Sequence, residues 1–373
     1  MLLTKGEPFR VRTRPTPKPG PGELLIAVKA VALNPADYLI QDFGLFIQNY
    51  PTVLGFDVAG LVVDVGEKVP SDTFQPGVTR VAGYAAFAWK SQGADYGAFQ
   101  ERCIIPWQHV VPLHGHEMSW IRAATLPVAV QVPLMAWEAL GIPLVGASTI
   151  AAAEQSFENS IGSVDENSPQ QQTPREALLI WGASSSVGTM GVQTACLLRD
   201  DITSPINKVY ATANSSNHKY IRSLGADRVF DYHDPDVVDA IVSEARADGL
   251  VIRHCFLAMG AIQPCQSVIK SFIQESDNDE KKWTIASAPP IPTDSAAIEG
   301  ITTVFLEPYA SETERLTQFQ FCMDCLEKSL IKGSIRPSPE PKVVGKGLLA
   351  INEGLSMLRY GVSCTKLVVD LDD

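Results

Sequence analysis

Leu178-Leu-Ile-Trp-Gly182-Ala-Ser-Ser-Ser-Val-Gly188-Thr-Met-Gly191-Val-Gln193 is an apolar strand, a turn of small residues and an apolar helix in immediate succession. A chain that passes from strand to helix through such a turn aims the first, unpaired amides of the helix at one spot. With the helix dipole behind them, that spot favours a pyrophosphate. Ser184, Ser185, Ser186 and Val187 are the candidate donors. The dinucleotide fingerprint G-x-G-x-x-G is met only in part, because its positions fall on Ala183, Ser185 and Gly188. Serine still leaves room for a phosphate and adds a hydroxyl donor, and Gly188 permits close packing of helix on strand.

The same rhythm continues outward. Apolar strands at Ala177–Trp181, Lys208–Ala213, Asp227–Tyr232, Val251–Ala258 and Trp283–Ser287 alternate with helical segments, which predicts βαβ units closing on a doubly wound parallel sheet. The second of these strands runs into Asn214-Ser-Ser-Asn-His-Lys219-Tyr220, with no Asp or Glu where an NAD enzyme would bind the ribose diol. Ser215, Ser216, Lys219 and Tyr220 suit the 2′-phosphate of NADPH instead. The same serines also read as caps of the following helix, and the two readings are compatible.

Residues 1 to about 130 read differently. Glu23–Leu33 and Val58–Val65 are short β-branched runs punctuated by Pro15, Pro17, Pro19, Pro21 and Gly66, the pattern of a small barrel or sandwich. The segment 150–174 is polar and rich in Ser, Gln and Asn, and reads as a surface insertion. Near the end, a helical Gly347–Leu358 precedes a β-branched Lys366–Asp370, a strand that could rejoin the first domain.

Composition narrows the function. At 373 residues and 45% hydrophobic the chain is long enough for about two cored domains. Thirty Lys plus Arg against 42 Asp plus Glu leave a net charge of −12, which repels nucleic acid and anionic membranes. No apolar run approaches the roughly 18 residues of a membrane span, and Met1–Gly20 lacks the features of a secretory signal. Seven scattered cysteines fit a reduced compartment, so a cytoplasmic protein is expected.

Gly55-Phe-Asp57-Val-Ala-Gly60-Leu-Val-Val-Asp-Val-Gly66, preceded by Asn34-Pro-Ala-Asp37 and followed by Gly182–Gly188, Leu224–Tyr232 and Gly361–Val369, resembles the medium-chain dehydrogenase/reductase superfamily. The resemblance spans nearly the whole chain. It implies a GroES-like, β-rich catalytic domain from residues 1–135 with 333–373, a Rossmann domain from 136–332, and NADPH in the cleft. Within the superfamily the chain is most similar to zinc-free quinone-oxidoreductase-like reductases, a group that includes fungal trans-acting enoyl reductases.

The resemblance places Asn34, Asp37 and Tyr38 near the nicotinamide and the substrate, with Asn34 and Tyr38 as catalytic candidates; Tyr38 reads equally as a packed aromatic. It sets Leu257 and Leu306 beside the nicotinamide ribose. Lys366 matches a lysine near the cofactor pocket, with a plain surface lysine as the competing reading. The stretch Ala123–Leu140, together with Phe46, Phe87 and Trp89, offers apolar walls or simply core. Zinc-dependent members carry Cys and His-Glu where this chain has Asn34 and Phe56-Asp57, and neither Asn nor Phe replaces a thiolate or an imidazole on zinc. His114-Gly-His116-Glu117 reads as a solvated loop and Cys322-Met-Asp-Cys325 as part of a core helix.

Without a Lewis acid, hydride delivery suits a substrate whose charge delocalises, such as an enone, an enoyl thioester or a quinone. The expectation is an NADPH-dependent reductase of an activated C=C bond, acting on a small-molecule or acyl-type substrate that a synthase could deliver. The alternatives are a quinone or aldehyde reductase, and a nucleotide-binding protein that has lost redox turnover, such as a cyclase or a synthase partner.

Overall fold

The computed structural model describes residues 1–89, 93–142, 175–273, 282–292 and 297–372. The expected insertion at 150–174 and the side chain of Trp89 lie outside the described residues. The chain packs as two units, Met1–Gln131 with Pro308–Asp373, and Val132–Glu307.

The first unit opens with β1 (Glu23–Ala32), α1 (Pro35–Phe43), β2 (Asp57–Val65), β3 (Arg80–Tyr84), β4 (Arg102–Pro106) and β5 (Val110–Pro112), followed by α2 (Trp120–Ala123) and α3 (Pro127–Ala139), the latter running across the boundary. Strand β1 pairs antiparallel with both β2 and β4. All but one of its residues are buried, which is why its sequence is almost continuously apolar rather than alternating. Opposite it, Gly60 lies so close that a Cβ would stand 2.1 Å from the carbonyl oxygen of Ala27.

The second unit is the doubly wound sheet anticipated from the alternation of elements. Its members are β6 (Glu176–Trp181), α4 (Ser186–Arg199), β7 (Ile206–Thr212), α5 (His218–Ser223), β8 (Arg228–Phe230), α6 (Val237–Ala247), β9 (His254–Leu257), α7 (Gln263–Ile273), β10 (Trp283–Ser287) and β11 (Ile301–Phe305). The strands are parallel, in the order β8-β7-β6-β9-β10-β11. The order therefore reverses between β6 and β9, and crevices outside the carboxyl ends of strands at such a switch are where this architecture binds ligands. One face of the sheet is sealed by Leu179, Tyr210, Ile241, Cys255, Ile269 and Ile285. On another contact, Trp137 packs edge-on to Phe256 and donates its Nε1–H to Thr194 Oγ1 at 3.1 Å.

The chain then returns through α8 (Glu312–Lys332), β12 (Pro341–Lys346), α9 (Ala350–Tyr360) and β13 (Lys366–Asp370). Strand β13 pairs antiparallel with β1 and parallel with β12, so the terminal β-branched run does rejoin the first sheet. The boundaries differ from the expected 136 and 333 in one respect that matters. Helix α8 belongs to the first unit, because Phe319 stacks on His109 at 3.9 Å and meets Tyr84 edge-on at 4.7 Å. Cys322 is buried on the same helix, as a core helix requires. Among the described residues no helix is long and apolar enough to cross a membrane.

Gly60→Ala should lower the free energy of unfolding by about 1–3 kcal/mol, since the added methyl meets backbone rather than a movable side chain. Urea denaturation of the first unit's transition measures it, and an unchanged midpoint would refute the close approach.

Candidate functional site

At the end of β6 the chain turns through Gly182, with φ +78°, and a Cβ there would stand 2.4 Å from the carbonyl oxygen of Met259 after β9. The glycine that the tight turn needs is thus one residue before Ala183, where the spacing of the fingerprint had put it. Gly188 is required as well, because a Cβ would approach Gly182 O to 2.4 Å. Ser185 is the N-cap of α4: its hydroxyl accepts from Gly188 N at 3.1 Å and donates to Gly182 O at 2.9 Å. That commits the Ser185 side chain to shaping the turn. The amides of Ser184, Ser186 and Val187 are half-buried and meet no acceptor among the described residues. They form the opening of a fourteen-residue helix, with the donors and the dipole that a diphosphate needs.

The turn after β7 is built on Asn214, whose Oδ1 accepts from Ser216 N at 3.0 Å and from Ser216 Oγ at 2.8 Å. The Ser216 hydroxyl proton is therefore committed within the turn, as a cap reading implies. Exposed Lys219 Nζ has no partner among the described residues and remains available to an anion, while the exposed Ser215 hydroxyl meets Asp231; Tyr220 is half-buried on the same short helix. Ser215 N donates to Asp231 Oδ2 at 2.9 Å. Sequence reasoning missed Asp231, because it sought an acid at the end of β7 and this one arrives from the end of β8. Leu257 closes β9 and Leu306 follows β11, both at the carboxyl edge of the sheet. The Leu257 carbonyl accepts from Ala288 N and Leu306 N donates to Ser287 O, each at 2.9 Å.

In the first unit a separate cluster gathers residues from α1, β2 and β13. Lys366 is buried, not a surface lysine: its Nζ lies 2.9 Å from Asp57 Oδ2 and donates to Asn34 Oδ1 at 2.6 Å. Asn34 Nδ2 donates to the same Asp57 oxygen at 2.9 Å, and Val128 N donates to Asp57 Oδ1 at 2.8 Å. Asn34 N donates to Asp37 Oδ2 at 2.7 Å, closing the first turn of α1. Asp37 Oδ1 is buried without a hydrogen-bond partner among the described residues.

Burial is the main cause that raises the Asp37 carboxyl to about 8, with Asp57 adding to it and the Asn34 hydrogen bond and Lys366 opposing. With Asp37 protonated at neutral pH, the cluster holds one anion and one cation, the balance a dry interior requires. Burial, Asp57 and Asp37 together also push the neighbouring Tyr84 phenol upward.

The structure does not gather all the first-domain candidates around this cluster. Tyr38 is half-buried on α1 with the Arg359 guanidinium 5.5 Å over its ring. Phe56 packs on Phe87 at 4.9 Å and on Tyr84 at 5.4 Å. Phe46 and Phe87, with Ile47, Pro51, Thr52 and Arg14, line a cavity of about 140 Å³. Phe46 is largely exposed, so it is wall rather than core, whereas Phe87 is both. His114 is exposed and meets Glu327 at 2.6 Å. Asp57 is the member of the cluster that sequence reasoning left without a role, although the apolar strand around it marks it as a buried acid in need of a partner.

Asp57→Asn removes the counter-charge of a buried ammonium and should cost about 3–5 kcal/mol in chemical denaturation. For Asp37 the raised carboxyl pKa means that its contribution to stability is full below pH about 4 and is lost as the pH rises through about 8. The stability advantage of wild type over Asp37→Asn should therefore shrink between pH 5 and pH 9. A difference independent of pH would show that Asp37 folds as an ordinary carboxylate.

A model of the alcohol dehydrogenase GroES-like domain matches residues 20–115. The chain is 37% identical to the trans-enoyl reductase tndF of Aspergillus flavipes over 100% of its own length and 98% of the relative's. It is 36% identical to the trans-enoyl reductase tazE of Aspergillus terreus, covering 84% of this chain and 93% of that one. A solved alcohol dehydrogenase superfamily protein of Novosphingobium aromaticivorans shares the fold with a TM-score of 0.71 at 20% identity, covering 99% of this chain and 98% of that one. With the GroES-like domain matched at residues 20–115 and a trans-enoyl reductase 37% identical along the full length, the chain belongs to the medium-chain dehydrogenase/reductase superfamily, in the group that holds the trans-enoyl reductases.

Proposed function

We propose that the protein is a zinc-independent, NADPH-dependent reductase that adds hydride to the activated C=C bond of an enoyl or enone substrate in secondary-metabolite biosynthesis. The observation that carries this reading is the turn after β6, where Ser184, Ser186 and Val187 present unengaged amides at the switch point of the sheet. Gly182 and Gly188 keep that turn free of side chains that would fill it. The similarity to two trans-enoyl reductases supports the reaction class.

When bound, NADPH supplies hydride from C4 of its nicotinamide. Ser184, Ser186 and Val187 would hold the diphosphate, and Ser215 and Lys219 the 2′-phosphate. Zinc independence is supported by the donor set: Asn34 is tied to Asp57 and Lys366, and Phe56 is packed among aromatic rings. Neither presents the thiolate or imidazole that a catalytic zinc takes. Conjugate reduction fits such a site, because charge that develops on the substrate spreads over the enone and hydrogen bonds stabilise it. Tyr38 lies under Arg359, and we assign protonation of the α-carbon to water. The substrate is proposed to be an acyl chain presented by a synthase; Phe46, Ile47 and Phe87 form the apolar part of a cavity that Arg14, Gln48, Asn49 and Asp95 otherwise make polar. The seven free thiols support a cytoplasmic setting.

Fluorescence titration should show NADPH binding about tenfold or more tighter than NADH, a difference of about 1.4 kcal/mol. Gly182→Val should abolish binding of both. Stopped-flow mixing of the NADPH complex with an α,β-unsaturated thioester should oxidise the cofactor; binding without oxidation would identify a nucleotide-binding protein that has lost turnover. Tyr38→Phe should keep the rate within about threefold, whereas loss of the 10²–10⁴-fold typical of a proton donor would give that role to Tyr38 instead of water.

A further inference from the structure

We propose that Asp231 is the positioning residue that preforms the 2′-phosphate end of the cofactor site, by stapling the turn at Ser215 to the end of β8. The inference rests on the NADPH reading and deepens it. Strand β8 is only three residues long, and its ladder with β7 ends at Thr212 opposite Phe230. One further backbone bond, Ala213 N to Phe230 O at 3.0 Å, carries the pairing past the strand. Beyond it the Asp231 side chain takes over: Oδ2 accepts from Ser215 N at 2.9 Å, while Oδ1 accepts from His233 N at 2.9 Å and meets His233 Nδ1 at 3.0 Å. One carboxylate thus ties two chain segments that leave the sheet side by side.

The tied turn carries Ser215 and leads directly to Lys219, the two residues that would meet the 2′-phosphate. Lys219 Nζ is exposed and unpartnered among the described residues, and the exposed Ser215 hydroxyl is held by Asp231, whereas the Ser216 hydroxyl serves the turn itself. An exposed turn of small residues that had to order itself on binding would lose affinity to conformational entropy, and a fixed turn does not. Asp231 cannot be a phosphate ligand, because both charges are negative, so its contribution must come through the loop it holds. The backbone amide and ring of His233, with the backbone amide and hydroxyl of Ser215, depress its carboxyl to about 2. The staple is therefore ionised across the range in which a cofactor is bound.

The test is calorimetric titration of the full chain with adenosine 2′,5′-bisphosphate and with 5′-AMP, in wild type, Asp231→Ala and Asp231→Asn. Wild type should prefer the bisphosphate. Asp231→Ala should weaken bisphosphate binding about tenfold and leave 5′-AMP within about twofold. Asp231→Asn keeps one acceptor oxygen and should recover part of the loss. Unchanged or tighter bisphosphate binding in Asp231→Ala would overturn the proposal, since the carboxylate would then be idle or simply repulsive. An equal loss for both ligands, or a lowered melting temperature shared by both variants, would also overturn it, by showing a general structural role. A wild type without preference for the bisphosphate would instead remove the NADPH reading, and the staple with it.

Discussion

A buried lysine ammonium must find its counter-charge in the same dry space, and in this protein that requirement joins distant parts of the chain. Lys366 on β13 reaches Asp57 on β2 and Asn34 at the head of α1, although β1 lies between β13 and β2 in the sheet. Backbone pairing alone would permit β13 to slip along β1. A one-residue slip would turn Lys366 to the other face and strand Asp57 without its partner. The register of the returning strand is thus set by a charge as well as by apolar packing.

The same cluster explains why two carboxylates tolerate one another in the interior. Asp57 has an ammonium, an amide and a backbone N–H around it, whereas Asp37 has one backbone N–H and an oxygen without a partner among the described residues. The better-supplied acid takes the cation, and its neighbour keeps a proton. Asn34 couples them: its backbone serves Asp37 and its side chain serves Asp57. The role that resemblance gave Asn34, direct contact with nicotinamide or substrate, has to share an amide group already engaged on both sides.

Much of this was legible in the chain before its structure. The alternation of apolar strands and helices from Ala177 to Ser287 specified the parallel sheet, because strands buried on both faces have to be apolar throughout. The end of β13 was legible as a strand but not as the partner of β1, since pairing between residues more than three hundred positions apart leaves no local pattern. Helix α8 was legible as a helix, yet its allegiance to the first unit depends on Phe319 meeting His109 and Tyr84. Gly182 was passed over because the fingerprint counts glycines by spacing, while the real requirement is a positive φ and a bare Cα facing Met259. Asp231 and Lys366 illustrate the same limit: an acid and a base look like surface residues until the group opposite each is known.

The pairing of β13 with β1 also has a temporal side. On the ribosome the Val132–Glu307 unit emerges whole, with every strand of its sheet available, well before the residues that complete the other sheet. Until then the Ala30–Ala32 end of β1, beyond the part that β4 covers, is unpaired on one edge, and Asp57 waits without its ammonium. The earlier-made half of the molecule is thus the later to close, and a nascent chain stalled short of β13 would carry a finished nucleotide fold beside an open, adhesive sheet.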